Sequence, residues 1–449
     1  MKHFCIHKSF GRTGIHPPEM KLTAGSPIKD MPLPRHVEIS LSQSLGRPAK
    51  ATVTAGDHVS RFDLIGEAQG PVSANVHTPI SGTVKSVGRI ETADGHGAEG
   101  IIIEADDNDH AADLQSICDA RPLGEAAVAQ LSAQEITDII RRAGIVGMGG
   151  ATFPTATKLS PPPGSPRCEF LLINGAECEP YLTCDDAVMR EMPHEIITGI
   201  ELILRALGDD VRCIVGIEDN KPQAISRMTT AARAHDRITV APMRTRYPQG
   251  GEKMLTKTLT GREIAPSALP ISQGVIIQNV STALAVYHAV VWGMPLVERV
   301  MTVSGKNYEG RGNYRVPVGT PLKDIIAHLG EIPASTVKII NGGTMMGRAM
   351  AGPQGSTTKG MSGLLLLDAV ESPLRDATPC VRCGRCVEVC PMGLEPYMLA
   401  KLSQHGRTDG LAARHVTDCM ECGCCSYSCM AGRRLVDWIK VGKALVRKK

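Results

Sequence analysis

Eight of the 15 cysteines lie near the C-terminus in two copies of one spacing, C-x2-C-x2-C-x3-C. The first copy comprises Cys380, Cys383, Cys386 and Cys390, and the second comprises Cys419, Cys422, Cys425 and Cys429. This spacing suits [4Fe–4S] cubanes, in which the last cysteine of each run ligates the other cluster. We therefore predict one cluster on Cys380, Cys383, Cys386 and Cys429, and a second on Cys419, Cys422, Cys425 and Cys390.

Structural zinc is the main alternative for these cysteines. Zinc sites usually pair one C-x2-C with a distant second pair, so two complete runs of four favour iron–sulfur clusters. Two details depart from the usual run: Met430 stands where proline is common, and Cys424 adjoins Cys425. The remaining cysteines are predicted to be ordinary thiols: Cys5, Cys118, Cys168, Cys178, Cys184, Cys213 and Cys424.

A second chemical signal is the glycine-rich segment GMGGATFPTATK at 147–158. Such loops let backbone amides approach a phosphate or a flat ring, and Lys158 adds a positive charge. The acidic segment NGAECEP follows at 174–180, directly after a predicted strand. A polar turn at that position can hydrogen-bond the hydroxyls of a ribose or ribityl group. Together the two segments predict a nucleotide or flavin site.

The elements around these segments alternate between strand and helix. A capping box at Ser132 and Glu135 opens a helix that Gly144 ends. The other predicted elements are helices at 195–207 and 222–234 and strands at 170–174, 211–217 and 238–241. This alternation predicts a mostly parallel sheet covered by helices, which binds ligands at the carboxyl ends of its strands.

The N-terminal region, 1–125, is rich in glycine, proline and β-branched residues. Strands are predicted within 53–59 and 72–87, separated by turn residues. The region resembles the hammerhead of biotinyl and lipoyl carrier domains. Those domains carry their cofactor on a lysine, and the corresponding segment at 74–77 has none. A carrier role is therefore not expected.

Changes in composition predict four domains and a multidomain α/β fold class. A β hammerhead-like domain at 1–125 precedes a Rossmann-like α/β flavin domain at 126–298. A β-grasp-like domain at 299–370 follows, with one helix at 321–329. A helical dicluster ferredoxin module at 371–449 ends the chain, with helices at 394–403 and 411–416 and a turn at Gly406.

Composition excludes several classes of function. Hydrophobic residues are 42% and charged residues 21% of the chain, as in ordinary globular proteins. A net charge of +3 is too small to argue for nucleic acid. With two Trp, seven Tyr and five Phe, a surface of stacked aromatic rings for single strands or sugars is not expected.

The N-terminus has no apolar run typical of a signal peptide, so we expect a cytosolic chain with reduced thiols. The most apolar segment, 274–294, contains Gln278, Asn279 and His288 and is predicted to be buried rather than to span a membrane. The tail carries seven basic residues: Arg433, Arg434, Lys440, Lys443, Arg447, Lys448 and Lys449. A solvated helix end is the favoured interpretation, with contact to anionic lipid or an acidic partner as the alternative.

Several motifs resemble known redox proteins in order and spacing. GMGGATFPTATK, NGAECEP, YPQGGEKMLTKTLTGRE and QNVSTALAV are similar to the FMN- and NADH-binding subunit of respiratory complex I. GRTGIHPPEMK at 11–21 and the hammerhead before the glycine loop narrow the resemblance to the RnfC family, the peripheral subunits of Rnf ion-translocating oxidoreductases. The resemblance covers nearly the whole chain.

The resemblance implies non-covalent FMN, two [4Fe–4S] clusters and NADH as substrate, with hydride transfer by FMN and no catalytic protein residue. The residues implied at the FMN phosphate and the dinucleotide are Gly147, Gly149, Gly150, Lys158, Asn279 and Thr282. Those implied at the flavin and nicotinamide are Asn174, Glu177, Glu179, Tyr247, Gly250, Gly251 and Glu252. Phe153 is retained from the family loop, with a core position under the loop as the alternative.

Three positions depart from the complex I pattern. Ala176 replaces an aspartate in the acidic turn, Thr152 replaces a glycine, and Pro161 replaces the aromatic residue that stacks on adenine. The resemblance therefore supports the FMN site more strongly than it supports a particular mode of adenine binding.

The implied function is electron transfer between NADH, FMN and two clusters in a membrane-bound, ion-translocating NADH:ferredoxin oxidoreductase. The chain is expected to be peripheral on the cytoplasmic side of the inner membrane. Its expected partners are membrane subunits and ferredoxin-like subunits, with ferredoxin indirectly and no nucleic acid. The alternatives are a soluble flavin and iron–sulfur cobalamin reductase, and a non-enzymatic iron–sulfur adaptor subunit.

Overall fold

The computed structural model describes residues 9–106, 123–373 and 376–447. The predicted thiols Cys5 and Cys118 and the tail residues Lys448 and Lys449 lie outside the described residues. The described chain forms four sheets, several helices between them and a C-terminal group of helices. It is a multidomain α/β protein.

Apart from β1, which joins a later sheet, the strands of the N-terminal region are short and pair antiparallel. Its strands are β1 (Ile28–Asp30), β2 (His36–Ser40), β3 (Lys50–Ala51), β4 (His58–Val59), β5 (Leu64–Glu67), β6 (Val76–His77), β7 (Gly82–Ile90) and β8 (Ala98–Ala105). One sheet has the order β2-β8-β7-β4 and a second the order β3-β5-β6. Ile39, Ile65 and Ile101 are fully buried in the shared core. The short strands predicted within 53–59 and 72–87 are present as β4, β6 and the first part of β7, and turns separate them as predicted.

A four-stranded parallel sheet follows. Its strands are β9 (Phe170–Gly175), β10 (Arg212–Glu218), β11 (Ile238–Met243) and β12 (Val275–Asn279). The helices of this region are α1 (Glu125–Gln130), α2 (Ala133–Arg142), α3 (Thr155–Leu159), α4 (Cys184–Glu191), α5 (Pro193–Leu207), α6 (Pro222–Ala231), α7 (Glu252–Thr260) and α8 (Val280–Trp292). The predicted parallel sheet and the capping box at Ser132 and Glu135 are confirmed.

The most apolar segment of the chain is divided between β12 and α8. Every residue of β12 is buried, and most of α8 is too. The prediction of a buried segment is confirmed. In the described ranges, no helix combines the length and apolar character needed to cross a membrane.

A six-stranded mixed sheet forms the next unit, with the order β1-β14-β13-β17-β15-β16. Its other strands are β13 (Glu298–Ser304), β14 (Gly312–Pro317), β15 (Thr336–Asn341), β16 (Arg348–Met350) and β17 (Gly363–Asp368). The predicted helix is confirmed as α9 (Leu322–Leu329). Strand β1 pairs in parallel with β14, so an N-terminal segment completes a sheet formed about 270 residues later.

The C-terminal module is helical. Its helices are α10 (Arg385–Glu388), α11 (Pro396–Gln404), α12 (Thr408–Ala413), α13 (Cys424–Tyr427) and α14 (Leu435–Arg447). Helices α10 and α13 each begin after a glycine in the left-handed region, Gly384 and Gly423, as the cysteine repeat requires. The helix predicted at 411–416 has the wrong bounds, because His415 adopts a left-handed conformation that separates α12 from a short 3-10 turn.

Candidate functional site

The glycine-rich loop lies at the carboxyl ends of the parallel strands. Asn174 on β9 and Asn279 on β12 are paired neighbours at that edge. Strands β10 and β11 lie on one side of β9 and β12 lies on the other, so the strand order reverses at β9 although all four strands are parallel. Such a reversal opens a crevice in which α/β sheets bind ligands.

Hydrogen bonds attach the glycine loop to the start of α8. The Met148 amide donates to the Thr282 hydroxyl over 2.9 Å, within a buried contact. A side chain at Gly149 would meet the Asn279 side chain at 3.6 Å, while Gly150 has a φ of +105° and open space beside it. The predicted residues Gly149, Asn279 and Thr282 therefore lie together.

Asp185 is a buried residue that the sequence interpretation did not single out. Its two carboxylate oxygens accept hydrogen bonds from Asn279 Nδ2 and Ser281 Oγ, each 2.7 Å long. Asn279 in turn caps α8 by accepting from the Ser281 amide. Asp185 therefore orients Asn279, and its position shortly after the acidic segment 174–180 was the available signal.

Phe153 and Thr152 complete the loop. The Gly147 amide donates to the Phe153 carbonyl over 2.9 Å, and the Phe153 residue is half-buried. Thr152 has a φ of +51°, a conformation that β-branched residues rarely adopt. This is the position at which the complex I pattern has glycine, so the strained backbone conformation is kept without the residue that favours it.

Two lysines donate hydrogen bonds to backbone carbonyls of the acidic turn. Lys21 Nζ donates to the carbonyls of Glu177, Glu179 and Leu182 at 2.6–2.9 Å. Lys221 Nζ donates to the Ala176 carbonyl over 2.7 Å. Neither lysine was predicted. Lys21 ends the GRTGIHPPEMK motif, which was a usable signal.

The carboxylate of Glu177 is directed at the start of α4. It accepts from the backbone amides of Asp185 and Asp186 at 2.7 and 3.2 Å. Burial raises the Glu177 pKa, and Lys21 opposes that shift. Nearby, burial raises the pKa of Glu218 to about 7, although Lys221 lies 3.6 Å away. The turn is thus a dense network of partly desolvated charges.

Glu179 is directed away from the glycine loop. Its carboxylate accepts from the amides of Met345 and Met346, each at 2.9 Å, and burial raises its pKa. Tyr247 lies beside it, and the Tyr247 hydroxyl donates to the Cys422 carbonyl over 2.8 Å. Tyr247 therefore contacts the cysteine-rich module, whereas Glu179 contacts the segment between β15 and β16.

The second glycine loop, 247–252, contacts both the acidic turn and the cysteine-rich module. Asn174 Nδ2 donates to the Gly250 carbonyl over 2.9 Å, and the Gly250 amide donates to Cys178 Sγ over 3.3 Å. Gly251 packs against Met420, leaving no room for a side chain at that position without moving the methionine. At the end of the loop, Glu252 forms a 2.7 Å ion pair with Lys158.

Four cysteines that are predicted to hold one cluster lie close together. A small cavity in the module is lined by Cys390, Cys419, Cys422 and Cys425, and also by Cys424 and apolar side chains. Burial raises the Cys386 pKa, and the neighbouring thiols of Cys429 and Cys380 add to that shift. Cys390 thus lies beside the second run and Cys429 lies near Cys386 of the first run, while the cross-ligated assignment itself stays a prediction.

Cys424 lines the same cavity as the second set, and only the C-x2-C-x2-C-x3-C spacing favours Cys425 over it. Its thiol hydrogen-bonds Cys422, which lowers the Cys422 pKa. Among residues 9–106, 123–373 and 376–447, no group of three or more His, Cys, Asp or Glu side chains is compact enough for a single metal ion. Thiolates around a cubane are spread more widely than those around one zinc ion, because the cluster itself lies between them.

Three family models match the chain. The RnfC barrel sandwich hybrid domain matches residues 9–108, the Nuo51 FMN-binding domain matches 140–288, and a 4Fe-4S dicluster domain matches 372–430. The chain is also similar in fold to a crystal structure of NAD+-reducing [NiFe]-hydrogenase in the H2-reduced state. That match has a TM-score of 0.50 and 20% identity, and it covers 74% of this chain and 66% of the other.

Three curated relatives match over most of their length. The C subunit of the ion-translocating oxidoreductase complex of Rhodobacter capsulatus is 43% identical, over 89% of this chain and 76% of the relative. Its counterpart in the proton-translocating ferredoxin:NAD(+) oxidoreductase complex of Clostridium ljungdahlii is 41% identical, over 88% of this chain and 85% of the relative. The counterpart in the Na(+)-translocating ferredoxin:NAD(+) oxidoreductase complex of Acetobacterium woodii is 36% identical, over 97% of both chains. The chain therefore belongs to the RnfC family, the electron-transferring C subunits of ion-translocating oxidoreductase complexes.

Proposed function

We propose that this chain carries electrons between NADH, a non-covalent FMN and two [4Fe–4S] clusters, within an Rnf-type NADH:ferredoxin oxidoreductase. When bound, FMN supplies the chemistry that accepts a hydride from nicotinamide and releases its electrons singly. The direct contact between the 247–252 loop and the second cysteine run carries the proposal. Tyr247 and Gly251 touch Cys422 and Met420 there, so the flavin crevice and one cluster share a wall.

The residues proposed to hold FMN line the crevice between β9 and β12. Gly147, Gly149 and Gly150 present backbone to the phosphate end, and Thr282 and Asn279 support that loop. Asn174 and Gly250 form the opposite wall. Backbone amides at a helix start and a glycine loop suit a phosphate, because both present donors to an anion.

The dinucleotide side is proposed to involve Lys158, Glu252 and Phe153 at the mouth of the crevice. The Lys158 ammonium is neutralised by Glu252 in the free protein, so a nucleotide phosphate would compete with Glu252 for it. Glu177, Glu179 and Tyr247 act mainly as supports for the turn and for the neighbouring cluster loop. No proton transfer by the protein is required.

The finer architecture belongs to the same proposal. The parallel sheet is a Rossmann-like flavin domain, the six-stranded sheet a β-grasp-like domain, and the helical module a two-cluster ferredoxin domain after a hammerhead-like N-terminus. The partners are membrane subunits and ferredoxin-like subunits, and the chain lies on the cytoplasmic face of the membrane. The names of the relatives from Clostridium ljungdahlii and Acetobacterium woodii support ferredoxin and NAD(+) as the complex's substrates.

The test is anaerobic purification followed by flavin extraction and iron counting. We expect one FMN and about eight iron per chain, the sum of two cubanes. The purified chain should then oxidise NADH with an artificial electron acceptor. Zinc in place of iron, or iron without flavin and without NADH oxidation, would contradict the proposal.

A further inference from the structure

Exposed aromatic side chains are concentrated on one module. Among the described residues, the aromatic side chains that are strongly exposed are Tyr397, Tyr427 and Trp438, and all three lie in the helical module. Val381 and Met430 are exposed there too, at 65% and 63%. In a chain with so few aromatic residues, this concentration is informative, because exposed aromatic and methionine side chains mark protein interfaces.

Three of these residues, Val381, Tyr427 and Met430, lie within two residues of cysteines assigned to the first cluster. Val381 lies between Cys380 and Cys383, and Met430 directly follows Cys429. Tyr427 precedes Cys429 by two residues, and Trp438 lines a surface cavity with Arg433 and Arg434. We call this region, formed by Val381, Arg382, Tyr427, Met430, Arg434 and Trp438, the cluster face.

Arginines supply the charge of the cluster face. The side chains of Arg382, Arg385, Arg433 and Arg434 form no ion pair or hydrogen bond with any residue that the structure describes. By contrast, the nearby Lys443 donates to the Cys419 carbonyl and pairs with Glu421. The acids closest in sequence, Asp376, Glu388 and Asp437, are exposed and fewer than the arginines. The cluster face is therefore basic and available.

The two cysteine sets differ in exposure. Cys380 and Cys383 are exposed, whereas Cys390, Cys422 and Cys425 are buried, and Cys422 packs beside Tyr247 of the 247–252 loop. If the flavin crevice exchanges electrons with the buried set, as the proposed function requires, the exposed set is the one that a second protein can approach. The cluster face includes Val381 and Arg382, which lie between the exposed Cys380 and Cys383.

We propose that the cluster face docks another redox subunit of the complex, one whose own centre is surrounded by Asp and Glu side chains. Aromatic and arginine side chains contribute most of the binding energy at protein interfaces, and opposite charges steer the encounter. A bilayer surface would also attract arginine and tryptophan. A protein partner fits better because the exposed cysteines lie on the same face, and lipid offers no electron acceptor. This inference rests on the proposed function.

The test uses the full chain, tagged and co-expressed with the remaining subunits of the complex. The wild-type chain is compared with a double variant that combines Arg433→Glu and Arg434→Glu. For each, the number of co-purifying subunits per chain is measured at low and at high salt. We expect at least about tenfold less co-purification, and wild-type binding that weakens as salt rises. Trp438→Ser should also weaken co-purification, with little salt dependence. Iron content must equal that of wild type in both variants.

The matched control combines Arg212→Glu on β10 and Arg227→Glu on α6, which replace two exposed arginines of the parallel-sheet region. It makes the same charge change and should leave co-purification intact. Wild-type co-purification in both cluster-face variants would overturn the proposal. A second result would also overturn the proposal. If the arginine variant no longer binds phosphatidylglycerol vesicles but still co-purifies with the other subunits, the cluster face binds the membrane and not a protein.

The proposed function fails by a different measurement. If the wild-type chain contains no flavin and does not oxidise NADH with an artificial acceptor, the proposed electron path is wrong, whichever protein binds the cluster face. Co-purification does not depend on flavin or on turnover. The failure of the docking proposal can therefore be distinguished from the failure of the proposed function.

Discussion

The hydroxyl of Tyr247 donates a 2.8 Å hydrogen bond to the backbone carbonyl of Cys422, and Tyr247 is only 1% exposed. Tyr247 belongs to the loop that forms one wall of the flavin crevice, while Cys422 belongs to the second cluster-binding run. On its other side, Tyr247 exchanges two backbone hydrogen bonds with Ile15 of the N-terminal segment. One residue thus joins three parts of the chain that are far apart in sequence.

Replacing Tyr247 with phenylalanine should weaken this junction. The Cys422 carbonyl would lose its partner in a buried site, which costs about 1–3 kcal/mol. We expect a lower free energy of unfolding by that amount, measured with urea under anaerobic conditions, and faster loss of iron. Tyr287→Phe removes a half-buried hydroxyl that accepts from Trp292 and is the control. Equal stability of Tyr247→Phe and wild type would show that the bond contributes nothing.

Replacing Lys158 or Glu252 with alanine tests the mouth of the crevice. Lys158→Ala should lower flavin content or NADH oxidation, because a phosphate loses its counter-charge, while cluster absorbance stays intact. Glu252→Ala should also impair the site, since Glu252 orients Lys158 through the 2.7 Å ion pair. The control is Lys257→Ala. Lys257 lies on the same helix as Glu252, and its substitution breaks an exposed ion pair with Glu263. Unchanged flavin content and NADH oxidation in Lys158→Ala would place the site elsewhere.

Single cysteine substitutions test the cross-ligated assignment. Cys429→Ala should disturb the cluster of the first run, and Cys390→Ala that of the second, each lowering iron from about eight toward about four per chain. Cys424→Ala should leave iron unchanged, because Cys424 fits neither set. Electron paramagnetic resonance of the reduced protein identifies which signal is lost. Loss of the same signal in Cys429→Ala and Cys390→Ala would refute the crossing of the two runs.

Lys359 provides a test in pH. It is 1% exposed, and its ammonium donates to the carbonyls of Asn75 and Gly144 at 2.7 and 2.8 Å. It thereby ties the N-terminal sheets to the end of α2, just before the glycine loop. Burial lowers the Lys359 pKa to about 7. An unfolded lysine titrates at about 10.4.

Between these two values the unfolded chain binds one more proton than the folded chain, so stability rises with pH. We expect Lys359 to add up to about 1.4 kcal/mol of unfolding free energy per pH unit from about pH 7 to about pH 10.4. Lys359→Met should remove this part of the slope. Exposed Lys323→Met should keep it, and identical slopes for wild type and Lys359→Met would contradict the expectation.

Lys21→Met tests the support of the acidic turn. The substitution keeps an aliphatic side chain and removes three hydrogen bonds to carbonyls. Unsatisfied carbonyls in a partly buried site should lower the unfolding free energy by about 2 kcal/mol or more. Because the turn borders the crevice, flavin retention should fall as well. Exposed Lys29→Met is the control, and full flavin retention in Lys21→Met would separate the turn from the flavin site.

Local features of the fold could be predicted because their signals lie within a few residues. The capping box of α2, the alternation that builds the parallel sheet and the cysteine spacing each depend on neighbours in sequence. The bounds at 411–416 were wrong because a single left-handed residue, His415, redirects the chain. Strand β1 was missed since three residues are too few for a period-two pattern.

The sequence by itself determined which chemistry is available: two runs of thiols, a glycine loop and an acidic turn, each encoded by residue type and short spacing. Tertiary structure alone decided how they are joined. Lys21 reaches the Glu177 carbonyl across 156 residues, and Tyr247 reaches Cys422 across 175. Such contacts leave no periodic or local signal, because they arise only when separately folded sheets and helices pack and their buried polar groups must find partners.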